Sequence, residues 1–103
     1  MNVLPSREIP AREERPATSI LHDDEHVRVV GFHLREGQEV PAHRSSSTVT
    51  VHVTEGAGVF RGDAGEARLE TGDAAVFAPD EVHSIRASEG ALRFIAILSP
   101  RPA

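Results

Sequence analysis

Ser47-Thr48-Val49-Thr50-Val51-His52-Val53-Thr54 alternates strictly, with Val49, Val51 and Val53 on one side and Thr48, Thr50, His52 and Thr54 on the other. Successive side chains of a strand point to opposite faces, so this stretch makes a half-buried strand with an apolar and a polar side. β-branched residues suit that pleated, half-covered surface. The valines are expected to face a core, and the threonines and His52 to face away from it.

The same grammar continues in both directions. Downstream, Glu55-Gly56-Ala57-Gly58 is expected to break the strand, and Gly58–Arg61 begins another. Arg61-Gly62-Asp63-Ala64-Gly65-Glu66 reads as a hairpin tip, because glycine supplies the positive φ that tight turns need. Residues 66–70 return, Thr71-Gly72-Asp73 turns, and Ala74–Ala78 runs until Pro79-Asp80 stops it, since proline cannot donate to a ladder. Val82–Ala87 and Ala91–Leu98 follow, separated by Ser88-Glu89-Gly90. Upstream, residues 26–34 read as a strand and Arg35-Glu36-Gly37 as a turn. Short strands at regular spacing, with no convincing helical stretch, give an all-β sandwich or barrel.

Composition agrees. A chain of 103 residues makes one domain with one modest core. Only four aromatics, Phe32, Phe60, Phe77 and Phe94, are available, so Val, Ile, Leu and Ala carry the packing. Residues 1–17 differ: they are rich in Pro, Arg and Glu, with Val3, Leu4 and Ile9 as apolar anchors. They are expected to form an extended N-terminal arm, lying over the barrel or a neighbouring subunit or left disordered. Residues 18–103 form the single barrel domain.

Several function classes fall away. There is no cysteine, hence no disulfide framework and no thiolate metal site. All basic residues are arginine, which removes Schiff-base chemistry and a lysine base. A net charge of −5 argues against nucleic acid. No stretch has the length of a signal-peptide core or a membrane span, so a cytoplasmic protein without a membrane partner is expected.

Two histidines stand in glycine-punctuated frames. The first is Gly37-Gln38-Glu39-Val40-Pro41-Ala42-His43, continuing to Gly56 and Gly58; the second is Gly72-Asp73-Ala74-Ala75-Val76-Phe77-Ala78-Pro79-Asp80-Glu81-Val82-His83. Together they resemble the cupin superfamily, whose two motifs read G-x5-H-x-H-x3/4-E-x6-G and G-x5-P-x-G-x2-H. The resemblance covers roughly residues 27–98 and implies a double-stranded β-helix, a jelly-roll barrel. It also implies a site inside the barrel, where the family's motifs place three His and one Glu around a metal. On this chain, His43 and His83 match the first and last histidines. Ser45 stands at the second histidine position, Val49 at the glutamate position, and Asp80 where a glycine is usual.

The donor set is thus half present. A divalent metal in a nitrogen and oxygen site takes at least three protein ligands. His52 shares the face opposite the valines and points away from the barrel. His33 lies on a strand whose imperfect alternation does not fix its facing. Asp80 and Glu81 read as solvated turn residues, and His22-Asp23-Asp24-Glu25-His26 as an acidic turn. Val49 in place of a glutamate makes the interior more apolar, and Ser45-Ser46-Ser47 keeps hydroxyls near the mouth. A small-molecule pocket of His43, Ser45, Val49, Val51 and His83 is the result. Arg44, beside His43, could attract an anion.

Three functions follow from the resemblance. The barrel binds a small molecule through His43 and His83; or it is a metal-dependent enzyme of dioxygenase or isomerase type, with one divalent transition metal on those two histidines; or it is a structural dimerisation module with a vestigial pocket. A homodimer is expected under all three.

Overall fold

The alternating stretch becomes the first half of the longest strand. The computed structural model describes residues 1–102. It contains a short 3₁₀ turn, Ser6–Glu8, and eight strands: β1 (Ala17–Asp23), β2 (Arg28–Leu34), β3 (Glu39–His43), β4 (Thr48–Gly62), β5 (Gly65–Glu70), β6 (Ala74–Phe77), β7 (His83–Arg86) and β8 (Leu92–Ser99). All pairings are antiparallel. One sheet has the order β1-β2-β8-β4-β6 and the other β5-β4-β7-β3, with β4 shared between them. This is a double-stranded β-helix, as expected.

Two details differ from the expectation. Glu55-Gly56-Ala57-Gly58 does not end the strand: β4 runs through it for 15 residues. The register against β8 shifts between Val53 and Glu55, and Gly56 takes φ +87°. The glycine is therefore a bulge that bends one strand from the first sheet into the second, rather than a break between two. The second detail is β3, which carries no alternation in sequence. Pro41 sits where its register against β7 is irregular, a place where a missing N–H costs no ladder bond.

The core joins the two sheets. Val49, Val51 and Val53 are all but fully buried, with Phe60, Leu69, Phe77, Ile85, Leu92 and Phe94 around them. Phe94 stacks on Phe32 at 4.5 Å and meets Phe60 edge-on at 5.5 Å. Burying each such side chain contributes about 1.5–3 kcal/mol. The alternating polar positions Thr48, Thr50 and His52 are only half-buried, on the other side of the sheet.

The arm is pinned chiefly at Ile9, with Gln38 Nε2 also donating to the Arg12 carbonyl at 2.7 Å. Ile9 is buried, and its Cδ1 occupies the space that a Cβ would need at Gly31. Its carbonyl accepts hydrogen bonds from His33 Nδ1 (2.8 Å) and Arg93 Nη1 (3.0 Å), which settles the facing of His33: it serves the arm. Among the described residues no helix is long and apolar enough to cross a membrane.

Candidate functional site

Between the sheets lies a cavity of about 430 Å³. Its apolar wall comes from β2, β4 and β8, which contribute Val30, Phe32, Val49, Val51, Phe94, Ala96 and Leu98. β3 and β7 supply Val40 and Ile85. The polar groups are His43, Arg44, Ser45, Ser46 and His83. All five residues read as a pocket from the sequence, His43, Ser45, Val49, Val51 and His83, thus line one cavity.

The two histidines are register partners across β3 and β7, and their rings meet at 4.2 Å in an edge arrangement of 63°. His83 is 3% exposed, while His43 is exposed at the mouth. Each ring is tied back in the same way. His43 Nδ1 lies 2.8 Å from the carbonyl of Pro41, and His83 Nδ1 lies 2.9 Å from the carbonyl of Glu81. A carbonyl oxygen can only accept, so Nδ1 carries a proton in both rings, and in a neutral ring Nε2 is then the acceptor. Phe77 stacks on the His83 ring at 4.4 Å and 11°, fixing its plane. Burial pushes the His83 pKa down, against the Glu81 carbonyl bond that raises it, with the neighbouring His43 adding to the fall. His83 is therefore a neutral acceptor set in an apolar wall.

The loop behind His83 is held by a residue that reads as merely solvated in sequence. Glu81 Oε1 accepts the Ala78 N–H at 2.9 Å, and Oε2 accepts the Asp63 N–H of the β4–β5 hairpin tip at 2.8 Å. Those bonds hold its carboxyl below the usual range. Glu81 thus positions the carbonyl that anchors His83. Its only sequence signal is its place two residues before the histidine. Asp80 adopts φ +64°, the left-handed conformation that aspartate tolerates better than most residues, which explains how it stands where the motif usually has glycine. Its N–H bonds the Ser45 carbonyl at 2.7 Å and so joins the two motif loops.

Other candidates lie elsewhere. Ser47 is 1% exposed and gives its hydroxyl to the Pro100 carbonyl, so it does not stand at the mouth with Ser45 and Ser46. His52 does not line the cavity. Of the His22–His26 stretch, His22 and Asp23 end β1 and the rest is the turn into β2: Asp24 Oδ1 accepts the N–H groups of His26 and Val27, while Asp23 pairs with Arg28 and Arg101.

The family model described as "Cupin domain" matches residues 31–98, which contain both histidine frames, strands β3 to β7 and most of β2 and β8. The chain belongs to the cupin family. No curated protein matches this cupin. Among solved structures it is similar to TT1209 from Thermus thermophilus, at 24% identity over 99% of this chain and 100% of that one, with a TM-score of 0.89. A conserved protein with a double-stranded β-helix domain from Klebsiella pneumoniae reaches 0.89 at 23% identity, covering 98% of this chain and 91% of that one. KdgF from a Halomonas species reaches 0.82 at 20% identity, covering 98% and 95%. These similarities support the fold.

The cupin metal set can be tested against this cavity. Among the described residues no three His, Cys, Asp or Glu side chains are grouped so as to hold a metal ion. Ser45 and Val49 stand at the other two ligand positions, and Val49, 5% exposed, is part of the apolar wall. The residues present do not fit a centre of three or more protein ligands.

Proposed function

We propose that this cupin binds a small organic molecule in its barrel, working as a homodimer. The observation that carries the reading is the pair of rings with Nδ1 tied to backbone carbonyls and Nε2 free of any protein partner among the described residues, at the polar end of an otherwise apolar cavity. Cavities of this size with few convergent polar groups suit small ligands. Val49 supports the reading too, because an aliphatic wall favours an apolar body over a coordinated cation. The ligand's own O–H or N–H group would meet Nε2 of His43 or His83.

Fragment binding tests this. Phenol and cyclohexanol, titrated against the protein and followed by NMR, should perturb His83 and the valines of β4. Filling the cavity with Val51→Phe should abolish the perturbation, and His83→Phe should weaken it. Equal fragment binding to the filled variant would reject the cavity as the site.

A further inference from the structure

The cavity has a charge signature opposite to that of the chain. The protein carries 16 acidic residues and a net charge of −5, yet no Asp or Glu is among the described residues lining the cavity. Its one formally charged lining group is Arg44. Arg44 makes no salt bridge among the described residues; the same holds for Arg7, Arg12, Arg15, Arg35 and Arg86, but none of those lines the cavity. The loop that carries it is fixed on both sides. His43 before it is clamped to Pro41, and Ser45 after it is held by Asp80. A cation at the mouth of an apolar cavity, on a fixed loop and without a partner carboxylate among the described residues, is a place for an anionic group from a ligand.

The neighbouring rings sharpen the chemistry. The buried, neutral His83 ring offers its free Nε2 as an acceptor, and a carboxylate placed against it would face a lone pair. The anion therefore belongs on Arg44, and a hydrogen-bond donor belongs on the imidazoles. A single guanidinium balances one negative charge, and its planar fork matches a carboxylate. A phosphate monoester dianion would be left half-compensated beside an apolar wall.

We propose that the ligand of this cavity is a hydroxy-monocarboxylate with an apolar body, its carboxylate on Arg44 and its hydroxyl donating to the Nε2 of His43 or His83. Arg44 is then the residue that selects acids over neutral molecules. This rests on the small-molecule reading above and adds a ligand class to it.

3-Hydroxybenzoate, phenol and phenyl phosphate separate the two levels by isothermal titration. At low salt, 3-hydroxybenzoate should bind at least about tenfold more tightly than phenol, the usual worth of a hydrogen bond to a charged group. Arg44→Gln should erase that preference, and 1 M NaCl should shrink it, since Arg44 is exposed. 3-Hydroxybenzoate binding no tighter than phenol would overturn the assignment of a carboxylate and leave the small-molecule reading standing. Tighter binding of phenyl phosphate would overturn it as well. Failure of all three probes to bind would remove both.

Discussion

Replacing Gly56 by alanine gives the sharpest test of how this barrel is built. Gly56 sits at φ +87° in the bulge that carries β4 from one sheet to the other. Its backbone is held on both sides, because its N–H donates to Thr71 Oγ1 at 3.0 Å while its carbonyl takes the Thr71 N–H at 3.0 Å. A Cβ there would run into the Ala91 carbonyl oxygen and lie 3.3 Å from Leu92 Cα. Gly72 provides the control: it has φ +94° and nothing within 4 Å of its added Cβ. Left-handed strain is common to both and costs about 1–2 kcal/mol. Only Gly56→Ala must also push backbone away from backbone. Relief of that contact displaces β8 at its fully buried Leu92, adding about 1–3 kcal/mol of misfit and one ladder bond worth about 0.5–1.5 kcal/mol. The expected losses are thus about 3–6 kcal/mol for Gly56→Ala and about 1–2 kcal/mol for Gly72→Ala, against a total of about 5–15 kcal/mol for a domain. Urea unfolding followed by far-UV circular dichroism measures both. Losses equal within about 0.5 kcal/mol would refute the close approach, and with it the account of the bend.

The remaining predictions concern pH and assembly. His83 has a folded pKa below its unfolded value of 6.5, so the unfolded chain takes up the proton first. Stability should be full above pH 6.5 and fall as the pH drops from there through the folded pKa. His83→Asn should flatten the melting temperature across that window; an unchanged slope would contradict the buried neutral ring. Asp23 and Asp24, each held down to about 2 from 3.8 by hydrogen bonds, Asp23 to Arg101 and Arg28 and Asp24 chiefly to His22, should give a separate acid loss as the pH falls from 3.8 towards 2. Asp23→Asn with Asp24→Asn should reduce it. For the homodimer, Val76 is 64% exposed and is the register partner of Thr50, which also faces Ile97, so the outer side of the first sheet offers a partly apolar surface. Sedimentation velocity should show a dimer at micromolar concentration and a monomer for Val76→Asp; a monomeric parent protein would end that proposal.

The barrel was legible where periodicity is strong. The valines of 49–53 announce a core-facing strand because their spacing alone separates the two faces. The bend at Gly56 was not legible: a glycine in a strand pattern signals both a bulge and a break, and only the partners of β8 and β5 tell them apart. β3 was hidden because a short strand on the rim, with Pro41 inside it, has no need to alternate. The site residues could be gathered from the two glycine frames, but their second layer could not. Glu81 looks like any turn carboxylate until the hairpin tip, 18 residues earlier, delivers the Asp63 N–H to it. Likewise Ser47 differs from Ser45 and Ser46 only through Pro100, 53 residues later.

Both cavity imidazoles lean on the carbonyl two residues before them, and that repeated clamp belongs to the barrel itself. Ordering a free side chain during association costs about 0.5–1.5 kcal/mol. Two rings held in advance spare a ligand about 1–3 kcal/mol, roughly 5- to 150-fold in Kd. The same clamps fix which nitrogen faces inward through main-chain atoms that no side-chain substitution removes. A barrel of this kind can change its wall residues, and hence what it accepts, while the direction of its hydrogen bonding stays the same.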